Sequence, residues 1–184
     1  MMLVRFMVLL MLGSFNRVSD SVTVNYIDTY KDLAVIEMHR TGVPASITLA
    51  QAIHESNSGT SKLASNSNNH FGIKCKSYWQ GQSYYHIDDD RNSYGKLVPS
   101  CFRAYELVAD SYIDHSNFLR YSSHYENLFL LNKTDYKAWA YGLKQSGYAT
   151  DKRYADKLIN IIEKHSLYIY DSERDPRTWI GAKN

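Results

Sequence analysis

Residues 46–56 read SITLAQAIHES and predict the central helix of the fold. Its apolar side chains recur at helical spacing, and Pro44 just before it suits the first residue of a helix because its missing N–H would be unpaired there anyway. The pattern predicts a largely apolar helix that begins at Pro44, runs towards Asn57 and is closed by Gly59. It carries one carboxyl group, Glu55, near its C-terminal end.

Glu55 is the first candidate for a chemical role. The negative end of the helix dipole disfavours a carboxylate at this position, and partly apolar surroundings disfavour the charged form further. Both effects favour the protonated acid, which glycoside hydrolysis needs because the sugar oxygen leaves poorly until it is protonated. From position alone, a solvated helix glutamate is the simpler interpretation, so the neighbouring motifs have to decide between the two.

Helical patterns recur on both sides of this stretch. They are predicted at residues 25–41, 105–120, 134–146 and 152–167. Asp151 is the predicted N-cap of the last helix. Residues 65–103 are rich in Asn, Ser, Gly and aromatic residues, and they predict loops with a small antiparallel hairpin that turns near residues 90–95. The predicted fold class is α+β: a mostly helical body with a small antiparallel β lobe, and a cleft between them that suits a polymer.

Three adjacent aspartates, Asp88, Asp89 and Asp90, lie just before the predicted turn. Glycoside hydrolysis uses a second carboxylate to stabilise the oxocarbenium-like transition state or to activate water. Because side chains alternate between the two faces of a strand, the three cannot all point into one cleft. The alternative interpretation is a solvated acidic turn.

Other polar and aromatic side chains are candidates for contact with a sugar. Asn68 and Asn69 open the loop NNHFGIK and can bond acetamido and hydroxyl groups, and Phe71 in the same loop is a further candidate for contact with the substrate. The alternative is an Asx-type loop with Phe71 buried. Trp79 can stack on a sugar ring or pack inside the lobe. Tyr148 can place its hydroxyl in the cleft or pack the loop between the last two helices.

The composition is that of a soluble globular protein, with 184 residues, 44% hydrophobic and 22% charged. The net charge of +2, with Lys and Arg scattered, argues against a nucleic-acid binder.

The N-terminus places one arginine before a short apolar run, which predicts a secretory leader and short linker at residues 1–20 or, alternatively, a buried first helix. No segment is predicted to span a membrane, because spanning takes roughly 20 apolar residues. One domain is predicted at residues 21–171, followed by a polar tail at 172–184.

The cysteines and histidines narrow the chemistry further. Cys75 and Cys101 fit an exported protein with one disulfide, and two reduced thiols are the alternative. His54 begins a metalloprotease-like pattern, but Ser58 stands where the second histidine must be. We therefore expect neither a metal nor a cofactor.

Four segments in order resemble the mannosyl-glycoprotein endo-β-N-acetylglucosaminidase family, glycoside hydrolase family 73. They are SITLAQAIHES at residues 46–56, NNHFGIK at 68–74, FRAY at 102–105 and GYATD at 147–151. The resemblance spans roughly residues 25–171. One departure is that residues 57–59 read NSG where many relatives carry Gly-Trp-Gly, which removes one aromatic wall.

The resemblance implies a lysozyme-like fold that hydrolyses peptidoglycan between N-acetylglucosamine and N-acetylmuramic acid, with Glu55 as catalytic acid. The family's second carboxylate is usually a glutamate on the β lobe; counting back from Phe102 makes Asp89 the first choice, with Asp88 and Asp90 as substrate contacts. Tyr148 corresponds to the tyrosine of the family's GYATD motif, which implies a contact with the substrate or the transition state. The implied protein is an exported monomer, periplasmic or in the cell wall, that acts on glycan strands.

Two other functions stay open on the sequence. A lytic transglycosylase also uses a single Glu-Ser helix in a lysozyme-like fold. A non-catalytic peptidoglycan-binding module would keep the fold without the chemistry.

Overall fold

The computed structural model describes the chain from residue 2 to residue 180, with side chains described for residues 20–178 except that of Asp89. The elements in chain order are α1 (Met2–Thr41), α2 (Ala45–Ser56), α3 (Lys62–Ser67), β1 (Ser83–Arg91), β2 (Leu97–Arg103), α4 (Val108–Tyr121), α5 (Tyr136–Gln145), α6 (Tyr154–Lys164) and α7 (Arg177–Ile180), with 3₁₀ helices at Ser123–Leu130 and Leu167–Ser172. The predicted α+β class, a helical body with a small β lobe, is confirmed.

Helix α2 is the centre of the body. Every side chain from Ala45 to Ile53 is buried, because α1, α6 and the second 3₁₀ helix pack around it. Pro44 is its N-cap rather than its first residue. The prediction that Gly59 closes the helix is wrong: α2 ends at Ser56, and Asn57 takes the left-handed conformation with φ 51°. Asparagine tolerates that conformation, so it can end a helix in place of glycine.

The N-terminus of α2 is capped by a residue that is distant in sequence. Asp171, which is buried, accepts a hydrogen bond from the backbone N–H of Ser46 at 2.8 Å and another from its hydroxyl at 2.7 Å. Pro44 makes no side-chain cap. Asp171 therefore satisfies a backbone donor that the local sequence leaves without a partner.

The β lobe is an antiparallel pair of strands joined by a tight turn. Asn92 accepts hydrogen bonds from the backbone N–H groups of Tyr94 and Lys96, which closes the turn where it was predicted. The strand register is regular from Ser83 to Ile87 and then shifts before Arg91. The three aspartates lie in this irregular stretch, so their faces do not follow simple alternation.

A disulfide joins Cys75 to Cys101, as predicted, with their Cα atoms 5.4 Å apart. It links the loop before β1 to β2. The backbone reinforces this link, because the N–H of Cys75 donates to the carbonyl of Cys101 at 2.8 Å.

Some boundaries differ from the predicted ones. Helix α6 begins at Tyr154, and Asp151 accepts from the backbone of Arg153 instead of acting as N-cap. Helix α1 ends at Thr41 as expected but begins at Met2. The predicted leader at residues 1–20 falls almost wholly outside the described side chains and stays a prediction. Within the described part of the chain, no helix has the length and apolar character needed to cross a membrane.

Candidate active site

A cavity of about 300 Å³ lies between the C-terminal end of α2, the loop that enters the lobe, and the loop after α5. It is lined by Glu55, Phe71, Gly72, Ile73, Lys74, Lys76, Arg103, Phe118, Tyr125, Tyr148 and Ala149. This is the predicted position of the cleft, and it brings Glu55, Phe71 and Tyr148 together.

Glu55 is half-buried in this cavity, and burial raises the pKa of its carboxyl to about 7. The negative charge of Asp88 raises the pKa in the same direction, whereas the bond from Tyr154 and the charge of Lys157 lower it. The hydroxyl of Tyr154 donates to Oε1 of Glu55 at 3.1 Å. Near neutral pH the carboxyl group can therefore hold a proton and release it, as a general acid must.

Behind Glu55, a line of buried polar groups crosses the body. Gln51 donates from its amide nitrogen to the hydroxyl oxygen of Tyr154 at 3.0 Å. His115 lies with Nε2 3.1 Å from the amide oxygen of Gln51. Tyr154 and His115 lie at helical spacing with apolar residues, and none of the three was predicted to have a role in the site. Gln51 does lie one helical turn before Glu55, and a polar side chain inside an apolar helix is the signal that was available.

The aspartates of the lobe form an ion-pair cluster with a lysine that lines the cavity. Lys74 Nζ lies 3.1 Å from a carboxylate oxygen of Asp88 and 2.9 Å from one of Asp90. Asp90 also accepts a short hydrogen bond from the hydroxyl of Ser100. Asp89 lies in β1, but its side chain is outside the described part of the chain, so its predicted role stays a prediction.

The two asparagines of the loop are held by backbone groups. Asn69 is buried; its amide nitrogen donates to two carbonyl oxygens and its amide oxygen accepts from the N–H groups of Phe71 and Ile73. Asn68 donates to the carbonyl oxygens of Tyr105 and Glu106. These contacts match the Asx-type loop interpretation, in which the asparagines bond backbone groups. They shape the entry to the lobe.

The aromatic candidates divide between the cavity and the lobe. Tyr148 lines the cavity with its ring stacked on that of Tyr154, their centroids 5.6 Å apart. Phe71 also lines it. Trp79 is outside the cavity lining: its indole N–H donates to a backbone carbonyl, and its ring lies 4.5 Å from the guanidinium of Arg103. The lobe-packing interpretation therefore fits Trp79.

Arg103 is a cavity-lining residue that the sequence analysis included only as part of a motif. It is buried and bonds both carboxylate oxygens of Asp114, which also accepts from the hydroxyl of Tyr105 at 2.6 Å. This network ties β2 to α4 and fixes the lobe against the body. Among the residues that the structure describes, no cluster of three or more His, Cys, Asp or Glu side chains is placed to hold a metal ion.

A helical body and a β lobe that enclose a half-buried glutamic acid define a protein of the lysozyme-like class. Residues 31–167 match the sequence profile of the family described as mannosyl-glycoprotein endo-beta-N-acetylglucosaminidase, and the chain belongs to this family.

Curated relatives carry the same domain. The chain is 38% identical to the exo-glucosaminidase LytG of Bacillus subtilis over 79% of its own length and 52% of that protein. It is 32% identical to the peptidoglycan hydrolase FlgJ of Vibrio cholerae over 69% of its length and 40% of that protein. The chain thus spans about half the length of these relatives or less.

Solved structures share the fold. The catalytic domain of the autolysin Auto from Listeria monocytogenes superposes with a TM-score of 0.72 at 28% identity, over 82% of this chain and 88% of that one. A mutant of a peptidoglycan hydrolase from Sphingomonas sp. A1 gives 0.67 at 30% identity, over 79% and 96%.

Proposed function

We propose that this protein is a peptidoglycan hydrolase that cleaves the β-1,4 bond between N-acetylglucosamine and N-acetylmuramic acid, an endo-β-N-acetylglucosaminidase with Glu55 as general acid. The observation that carries the proposal is the half-buried carboxyl of Glu55 in the cleft, whose pKa of about 7 suits proton donation near neutral pH. Membership of the glucosaminidase family supports N-acetylglucosamine as the sugar whose glycosidic bond is cleaved.

In this mechanism Glu55 donates its proton to the glycosidic oxygen as the bond from the anomeric carbon breaks. Positive charge develops on the sugar ring and needs a negative group nearby. Asp89 is our first candidate, with Asp88 and Asp90 beside it on the substrate side. The substrate's own acetamido oxygen is the alternative. Carboxyl groups about 5–5.5 Å apart would favour retention of configuration, and about 6.5–9.5 Å would favour inversion.

Tyr148 is our candidate for contact with the substrate or the transition state, because it lines the cavity beside the acid. Phe71 is buried but lines the same cavity, and Asn68 and Asn69 hold the loop that carries it. The substrate is found outside the cytoplasmic membrane. Export to the periplasm or cell wall therefore belongs to the proposal, and the disulfide fits an oxidising compartment. The enzyme is proposed to act as a monomer.

The test is digestion of purified sacculi by the wild type and by Glu55→Gln. Glu126→Gln removes the same charge from an exposed position and is the matched control. We expect Glu126→Gln to release fragments at the wild-type rate and Glu55→Gln to lose activity by at least 100-fold, as general-acid catalysis contributes about 10²–10⁴-fold. Wild-type activity in Glu55→Gln would refute the assignment.

Mass spectrometry of the products identifies the reaction. Reducing N-acetylglucosamine ends support the proposal, whereas 1,6-anhydro-muramic ends indicate a lytic transglycosylase. Binding to sacculi without released fragments, unchanged in Glu55→Gln, indicates a binding module. Because the Bacillus relative is named an exo-glucosaminidase, product length matters as well: internal cuts give long strands early, and exo cleavage gives small products throughout.

A further inference from the structure

We propose that Gln51 and His115 are positioning residues that act through Tyr154 on Glu55. Together they turn the phenol hydrogen of Tyr154 towards Oε1 of Glu55, so that the transferable proton resides on Oε2. The inference deepens the proposed function and rests on it for its catalytic meaning. The orientation itself is a property of the folded protein and can be tested without substrate.

The hydrogen-bonding capacity of each group sets the direction of this line of bonds. An amide nitrogen only donates and an amide oxygen only accepts. Because Gln51 donates to the hydroxyl oxygen of Tyr154 at 3.0 Å, that hydroxyl has its own hydrogen free for another acceptor. The acceptor within reach is Oε1 of Glu55 at 3.1 Å. An oxygen that accepts this bond is the poorer site for the acid proton, which leaves Oε2.

His115 fixes which end of the Gln51 amide faces Tyr154. The side chain is fully buried, and burial lowers the pKa of its imidazole to about 3, so the ring is neutral and carries one N–H. Nε2 lies 3.1 Å from the amide oxygen of Gln51 and must be the protonated nitrogen, since two acceptors cannot bond. Among the residues that the structure describes, Nδ1 has no hydrogen-bond partner, so protonation at Nδ1 would bury an unpaired N–H.

Packing holds this arrangement in place. The ring of Phe71 stacks on His115 with centroids 3.9 Å apart and planes 11° apart. Gln51 is fully buried and Tyr154 is 1% exposed, so water does not compete for these bonds. In such surroundings a reversed amide would set its N–H donors against the N–H of His115, which is costly, and its oxygen would draw the phenol hydrogen of Tyr154 away from Glu55. The line of donors therefore has one direction, from His115 towards Glu55.

The test is the titration of the Glu55 carboxyl carbon by ¹³C NMR, with the signal assigned from its loss in Glu55→Gln. A bond donated to the carboxylate lowers its pKa, so we expect Tyr154→Phe to raise the pKa of Glu55 by about one unit. Gln51→Met should raise it by a smaller amount. In the double variant Gln51→Met should add nothing, because it acts only through Tyr154. A downward shift in Tyr154→Phe, or additive shifts in the double variant, would overturn the proposal.

His115 provides a matched pair of variants. His115→Gln places an amide donor near the position of Nε2, whereas His115→Leu removes the donor. We expect the pKa of Glu55 to stay at the wild-type value in the first and to rise in the second. Equal shifts in both would mean that His115 only fills space, and would contradict the positioning role.

The tautomer of His115 can be measured in the wild-type protein, so this test does not depend on whether a variant folds. ¹⁵N NMR of His115 should show a neutral ring protonated at Nε2, and protonation at Nδ1 would overturn the proposal. Failure here is distinct from failure of the proposed function: a chain that cuts no glycan can still show the predicted titrations. If it is a hydrolase, the alkaline limb of its pH–activity profile should move with the NMR pKa in each variant.

Discussion

At the scale of single residues, Glu55 couples folding to pH. Its pKa is about 7 in the folded protein because burial disfavours the carboxylate. An unfolded chain leaves it near the ordinary value of about 4.3. The folded state therefore binds this proton more tightly than the unfolded state. The resulting stabilisation is complete below the unfolded pKa and is lost as the pH rises through 7.

We therefore expect Glu55→Gln to be more stable than the wild type at pH 8, by about 3–4 kcal/mol in the free energy of unfolding, and nearly equal to it at pH 4. Glutamine cannot ionise, so the variant avoids the buried charge. Urea unfolding at both pH values measures the difference, with Glu126→Gln as an exposed control. A gain of the same size at both pH values would contradict the explanation.

Asp88 and Asp90 offer a second comparison at this scale. Both pair with Lys74, but only the charge of Asp88 raises the pKa of Glu55. Asp88→Asn is expected to lower that pKa and to move the alkaline limb of the activity profile to lower pH, whereas Asp90→Asn should move it less. Profiles on soluble glycan strands test this. Equal displacement by the two variants would assign the effect to the ion pairs with Lys74, which both variants weaken.

At the scale of elements, α2 depends on a residue that its own sequence does not contain. Asp171 caps it from the second 3₁₀ helix, and burial raises the pKa of this aspartate to about 6. The helix pattern at residues 46–56 was enough to predict α2 and to place Glu55 near its C-terminal end. It contained no sign of a cap 125 positions away in the chain, because a contact of that kind exists only once the elements have packed.

We expect Asp171→Ala to lower the free energy of unfolding by about 2–3 kcal/mol, since the N–H and hydroxyl of Ser46 lose their acceptors in a buried place. Asp135→Ala is the matched control: it removes an exposed N-cap from α5 and should cost about 1 kcal/mol. Denaturant titrations of both variants at pH 7 measure the difference. A cost for Asp171→Ala no larger than the control's would show that Ser46 finds other partners.

At the scale of the whole molecule, the parts that the sequence predicted are those with local signals. The hairpin has its turn chemistry, the helices have their periodicity, and the half-buried acid has its place at a helix end. The line from His115 through Gln51 to Tyr154 joins three helices, and each residue alone fits an apolar face. The roles of the aspartates also depend on a register shift between Ile87 and Arg91 that alternation along a strand does not predict.

The disulfide gives the last prediction, because it holds the lobe and the entry loop as one unit. Replacing both cysteines by serine opens a loop of 26 residues, which should cost roughly 3 kcal/mol in the chain-entropy model. The loss belongs to the lobe, so amides of β1 and β2 are expected to exchange with solvent faster while those of α2 keep their protection. Hydrogen exchange followed by mass spectrometry resolves the two regions. Wild-type protein treated with a thiol reductant should match the double variant, and the variant should not respond to the reductant. Uniform loss of protection across lobe and body would mean instead that the disulfide stabilises the whole domain as a single cooperative unit.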